Sequence, residues 1–250
     1  MDSIRQKTRW EIAQRFEAGE WKSHPGVFEN EYEESRRKYK SFFEKLVSEL
    51  SIQKSWKILD VGCNATCVSS MIEKGSHYGI DPLADELHIQ ERVPNFEIKN
   101  AMGEEIPYTE KNFELVVCVN VIGHTENPKK VIEEMKRVTT KNGYLVISVY
   151  TYNNFICLMR RIAEKIPSLR NVGHPHTFSQ KSFEKLVGSY FKIISSTVIH
   201  EGKDPTDFGK VGKPINEPSP IQALVSFINS KILGYKWFVR EYCLVCERTN

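Results

Sequence analysis

The chain has no run of about twenty apolar residues, the length that a membrane-spanning helix requires. Its longest uncharged stretch, Gly143 to Met159, is interrupted by Ser148, Thr151, Asn153 and Asn154, so no spanning helix is expected. The amino-terminal stretch MDSIRQKTRWEIAQRFEAGE alternates both charge signs and lacks the apolar core of a secretory signal, which makes a cytoplasmic location the expectation. Neither charge sign dominates: 35 Lys plus Arg stand against 32 Asp plus Glu, a net +3. That balance fits neither a disordered chain nor a polyanion-coating one, and with no interleaving of basic and aromatic residues it argues against nucleic acid as the partner. Cysteine is scarce as well. Its six copies lie mostly in apolar runs, where a free thiol behaves as a small hydrophobe and a reducing compartment suffices. Cys243 and Cys246 have half the spacing of a zinc site, but no second CxxC accompanies them, and residues three apart on a strand face opposite ways. No metal is expected, and no internal repeat or low-complexity tract is present.

What is there is 40% hydrophobic residues in 250, enough for one sizeable core. From Glu29 to Leu50, Tyr32, Tyr39, Phe43, Leu46, Val47 and Leu50 recur at spacings that place one apolar stripe along a helix. Ser3 to Glu17 reads as an earlier helix, separated from the second by Gly19 and the Ser23-His24-Pro25-Gly26 stretch. Residues 1–50 are thus expected to form an N-terminal helical cap, and 51–250 the main domain. There, short apolar runs alternate with polar helical stretches: Trp56 to Val61, Tyr78 to Ile80, Phe96 to Ile98, Leu115 to Val121 and Tyr144 to Tyr150. The alternation argues for an α/β fold, a mostly parallel sheet with helices on both faces. Val131 to Thr139 reads as a helix closed by a C-cap at Lys141-Asn142-Gly143. Further β runs are expected at Phe191 to His200 and Glu241 to Glu247. Between them, residues 201–236 read as a lid-like insertion whose second half, Ile221 to Leu233, is an apolar helix.

Lys57 to Cys67 reads KILDVGCNATC, a hydrophobic strand ending in an acid, a turn through Gly62 and a small-residue opening to a helix. At the carboxyl ends of an open α/β sheet, such a turn lets backbone N–H groups and a helix N-terminus meet a ligand. Gly62 permits close approach because it has no Cβ. Further on, Gly79-Ile80-Asp81-Pro82 places a carboxylate at the end of the second strand, where its two oxygens can accept hydrogen bonds from both hydroxyls of a ribose. A nucleoside cofactor is implied. It is not a dinucleotide by fingerprint, because Cys63, Asn64, Ala65 and Thr66 follow Gly62 and no GxGxxG is formed.

AMGEEIP (Ala101 to Pro107), NFELVV (Asn112 to Val117), NVIGH (Asn120 to His124) and MKRVTTKNGYLVI (Met135 to Ile147) then follow in order. In that order and spacing the chain resembles class I S-adenosylmethionine-dependent methyltransferases, especially the small-molecule branch that includes ubiquinone-biosynthesis enzymes, from about Ser51 to Phe191 and again in the final strand. The resemblance implies a Rossmann-like seven-stranded sheet with its last strand antiparallel, and S-adenosylmethionine as cofactor. By it, Asp60, Gly62, Cys63 and Asn64 would form the methionine-side loop, and Asp81 with Pro82 would bind the ribose. Gly103 and Glu104 would lie along the adenine edge, and Asn120 would stand near the sulfonium. The chain departs from the family where Asn64 and Thr66 replace glycines and Met102 replaces an acid.

The activity so implied is methylation of a small-molecule acceptor, with oxygen favoured because histidines are available as bases. Three histidines are candidate bases: His124, after the fourth strand, which could instead cap the next helix, and His174 and His176, in the loop before the helix of Ser182 to Val187, with His176 the first choice. The cap and the apolar lid suggest a hydrophobic acceptor such as a quinone, phenol or isoprenoid. The basic helix around Arg160, Arg161, Lys165 and Arg170 offers either a solvated face or a peripheral membrane contact. The altered loop leaves a second reading open, a non-catalytic S-adenosylmethionine-binding protein that serves as a partner or sensor.

Overall fold

Ile58 to Val61 and Leu115 to Cys118 are unbroken apolar runs apart from Asp60, the pattern of strands covered on both faces. In a computed structural model, which describes residues 2–22, 26–165, 174–201 and 239–249, they lie side by side at the centre of one sheet. Its strands are β1 (Lys57–Val61), β2 (Ser76–Asp81), β3 (Phe96–Asn100), β4 (Phe113–Val119), β5 (Thr139–Tyr152), β6 (Lys192–Glu201) and β7 (Val239–Glu247). They are ordered β3-β2-β1-β4-β5-β7-β6, with a one-turn helix α3 (Ile89–Arg92) between β2 and β3. All pairings from β3 to β5 are parallel, and β7 runs antiparallel to both of its neighbours. The expected class, with its reversed last strand, is the one observed. Five parallel strands therefore bring their carboxyl ends to a single edge, and every candidate site residue lies at or just beyond one of those ends or on the segments that cover them.

Alternation along the strands divides the core in two. Leu59, Val116, Cys118, Leu145, Ile147 and Leu244 meet the helices α4 (Pro128–Val138) and α6 (Gln180–Gly188) through Val131, Ile132, Met135, Phe183 and Val187. On the opposite face Ile58, Leu115, Val117, Val146 and Val245 meet Tyr39, Phe43 and Leu46 of α2 (Val27–Glu49), which covers the sheet directly. Cys243 and Cys246 fall in opposite halves, as a strand period of two requires. Local chemistry sets the helix ends: the Asn127 side chain accepts from Lys130 N–H ahead of Pro128, and Ser179 and Ser182 close a capping box on α6.

Four local expectations are corrected. No α-helix follows Gly62; the β1–β2 crossover holds only a four-residue 3₁₀ turn, Val68–Met71, because Asn64 (φ 36°) and Cys67 (φ 38°) turn left-handed and the Asp60 carboxylate takes the Ser69 N–H. The helix α1 (Asp2–Trp21) runs through Gly19 rather than ending there. Helix α4 ends at Val138 with the extended Thr139 as its C-cap, and Lys141 to Gly143 sit inside β5 as a register shift with Asn142 at φ 58°. Arg160, on α5 (Asn154–Ala163), is not solvated: it is buried with its guanidinium 4.1 Å from the centre of the Tyr152 ring. Of the lid-like stretch only Glu201 is described, at the end of β6; the rest of it and Arg170 lie outside the described residues. No helix among the described residues is long and apolar enough to cross a membrane.

Candidate active site

The loop after β1 turns on Gly62 and Asn64. Gly62 adopts φ +70°, and a Cβ there would lie 2.4 Å from the Val121 side chain, so the loops after β1 and β4 can meet only if this residue is glycine. Asn64 carries the next left-handed turn, and its Oδ1 accepts from both the N–H (2.6 Å) and the hydroxyl (2.7 Å) of Thr66. This is an Asx turn. Thr66, β-branched and buried, is thereby spared the left-handed conformation, which passes to Cys67. Cys63 is buried against Gly79 and carries no exposed thiol. Asp60 is buried, and desolvation pushes its carboxyl up to about 6 against the opposing hydrogen bonds from Ser69.

Asp81 ends β2 with both oxygens anchored: Oδ2 accepts from Asn64 N–H at 3.0 Å and Oδ1 from Leu83 N–H at 2.8 Å. Burial raises its pKa, those two N–H groups lower it, and the nearby Glu17 raises it again. Each oxygen keeps a second lone pair. Gly62, Asn64, Pro82, Gly103 and Asn120, which the strand order brings to the same carboxyl edge of the sheet, are all half-buried and form a rim along it. The Glu104 carboxylate is engaged locally: Oε1 accepts from the N–H groups of Glu126 (2.8 Å) and Asn127 (2.9 Å) and so supports the entry to α4. Asn120 leaves β4 at φ 56°, and its N–H is held by Ser148 O at 3.0 Å and Ser148 Oγ at 3.2 Å. Asparagine tolerates this conformation better than most residues.

The histidines converge over the β4 loop. His124 does not cap α4; its Nδ1 lies 3.2 Å from the Glu17 carboxylate on α1, and its ring is 3.9 Å from that of His174. Burial holds His174 well below its usual pKa, with His124 and Arg160 adding to the effect, so it stays neutral near pH 7. His176 lies beside them in sequence but faces another way: its Nε2 is 3.0 Å from Thr125 O and 3.2 Å from Glu126 O, and its backbone N–H reaches Gly123 O. A ring nitrogen between two carbonyl oxygens carries the proton, which fixes the tautomer. Glu17 was not singled out by the sequence, since nothing local in α1 signals a partner more than a hundred residues away. No group of three or more His, Cys, Asp or Glu side chains among the described residues is placed to hold a metal ion.

A family model described as a methyltransferase domain matches residues 32–190. A ubiquinone biosynthesis O-methyltransferase of Pseudomonas fluorescens is 32% identical over 154 residues, 57% of this chain and 65% of that protein. An uncharacterized protein of Methanocaldococcus jannaschii is 36% identical over a shorter segment, 22% of this chain and 27% of that one. The chain thus spans less than two thirds of the length of these relatives. A putative methyltransferase of Bacillus halodurans superposes with a TM-score of 0.62 at 17% identity, covering 83% of this chain and 98% of that one. The geranyl diphosphate C-methyltransferase of Streptomyces coelicolor, solved with S-adenosylhomocysteine, gives 0.55 at 12% identity, covering 84% and 79%. Strand order and family model agree, and the chain belongs to the methyltransferase-domain family with the class I, Rossmann-like fold.

Proposed function

We propose that the protein transfers a methyl group from S-adenosylmethionine to a small-molecule acceptor, with oxygen as the favoured methyl-accepting atom. The observation that carries this reading is Asp81, a buried carboxylate at the end of β2 that has one backbone partner on each oxygen and one lone pair left on each. A ribose diol supplies two hydroxyl donors for those lone pairs. The residues present therefore fit the cofactor, and the adjoining loops after β1, β3 and β4 leave the rest of the rim half-exposed. When bound, S-adenosylmethionine supplies an already activated methyl group, so positioning matters more than covalent help.

Asp60 and the Asn64 turn hold the loop expected to meet the methionine end, and Pro82, Gly103 and Asn120 complete the rim. Glu104 reinforces that rim from behind through α4 rather than through a free carboxylate. His124, oriented by Glu17 and backed by neutral His174, takes the acceptor's proton. His176 ties the 174–178 segment to the β4 loop and keeps His124 in place. A hydrophobic acceptor such as a quinone, phenol or isoprenoid is supported by the ubiquinone-pathway relative. Residues 1–50 contribute both α1, which brings Glu17, and α2, which covers one face of the sheet.

The test is transfer of labelled methyl from S-adenosylmethionine to a panel of quinols, phenols and isoprenoid alcohols. His124→Gln is expected to lower kcat by about 10²–10⁴-fold while S-adenosylhomocysteine still binds. Cofactor binding without transfer to any acceptor would replace this reading with the non-catalytic one. Absence of binding would end both.

A further inference from the structure

Glu241 stands among Tyr242, Cys243 and Leu244 on β7 and is fully buried. A lone carboxylate in such a place would be untenable, and even a well-paired one confers little stability compared with apolar residues of the same volume. The pairing here is extensive. Oε2 forms an ion pair with the Lys38 ammonium, which also donates to Tyr150 OH at 2.9 Å. Oε1 accepts from the Tyr39 hydroxyl and, at 2.9 Å, from Ser148 Oγ. A serine hydroxyl has one proton. Once that proton is committed to Glu241, the Ser148 lone pairs face the other way, and one of them, at 3.2 Å, shares the N–H of Asn120 with the Ser148 carbonyl at 3.0 Å. The chain of bonds thus runs from α2 through a buried carboxylate to the left-handed residue on the rim of the site.

We infer that Glu241 is a positioning residue: through Ser148 it fixes the backbone of Asn120, and through Lys38 and Tyr39 it ties that residue to the placement of α2. The effect on ligand binding rests on the cofactor reading above; the effect on Asn120 does not. A merely structural pair could be exchanged for apolar residues without consequence for the site.

The test compares wild-type protein with the double variant Lys38→Met/Glu241→Leu, with Ser148→Ala, which cuts the same link alone, and with Thr139→Ala. Thr139 is an equally buried hydroxyl, bonded to Met135 O, at the opposite end of β5. In the ligand-free protein, the Asn120 amide is expected to exchange its hydrogen about tenfold faster in the first two variants and at the wild-type rate in the third, with the cooperative unfolding of all three retained. Titration with S-adenosylhomocysteine is expected to show affinity about tenfold weaker in the same two. Wild-type exchange at Asn120 in Ser148→Ala would overturn the inference even if the double variant failed to fold. Unchanged affinity in a binding-competent protein would overturn the coupling to the site. If the wild-type protein bound no S-adenosylhomocysteine, the cofactor reading would fall, and the exchange rates would still decide the role of Glu241.

Discussion

At the scale of the residue, Asp60 shows how a buried group can serve a site at the cost of stability. Its carboxyl titrates at about 6 rather than near 3.8, chiefly because burial disfavours the charged form. The sign follows from proton counts: between those two values the folded state binds more protons than the unfolded one, so this group makes stability fall as pH rises through the window. Above it the penalty is complete, roughly 3 kcal/mol for a shift of this size. Asp60→Asn keeps an acceptor for the Ser69 N–H and cannot ionise. It is expected to stabilise the protein by about 1–3 kcal/mol at pH 7.5 and hardly at all at pH 4, read from urea midpoints at the two pH values. His174 pulls the opposite way. Its lowered pKa means that the unfolded state gains protons first as pH drops below 6.5, so its contribution is lost toward acid.

At the scale of the element, α2 has two functions that its amphipathic stripe suggests only in part. Phe43 and Leu46 are buried against Ile58, Leu115 and Val146, so the helix is a layer of the core as well as the carrier of Lys38. Phe43→Ala should cost about 3–5 kcal/mol by cavity formation, measured by denaturant unfolding, with the slope of the transition unchanged. An effect below about 1 kcal/mol would mean that α2 sits loosely on the sheet. The stripe was legible because Tyr39, Phe43 and Leu46 repeat at helical spacing. The connection after β1 was not, because whether Gly62 to Cys67 coils into a helix is decided by the Asn64 side chain capturing Thr66, a bond invisible to periodicity. The same holds for Lys141 to Gly143, whose turn chemistry fits a helix C-cap and a strand irregularity equally well.

At the scale of the whole molecule, the sheet and most of its strands could be read from alternating short runs, and the carboxyl edge from the placement of Asp60 and Asp81 within them. What joins distant parts could not: Glu17 reaching His124, Lys38 reaching Glu241 and Arg160 folding onto Tyr152 depend on the packed fold rather than on local pattern. Such long-range ties make ligand binding a property of the entire chain, since a ligand held only by the folded state raises its stability by mass action. S-adenosylhomocysteine at a hundred times its dissociation constant should add about 2.7 kcal/mol. For a chain of 250 residues that corresponds to a rise in Tm of roughly 5–10 °C. Asp81→Ala removes the carboxylate assigned to the ribose and also the acceptor for the Asn64 and Leu83 N–H groups, so its ligand-free Tm is expected to fall somewhat. The rise with ligand, measured from that lower baseline, should disappear. A variant that still gained the full shift would place the ribose elsewhere along the rim, and Asp81 would then be a residue that shapes the loop after β1 and nothing more.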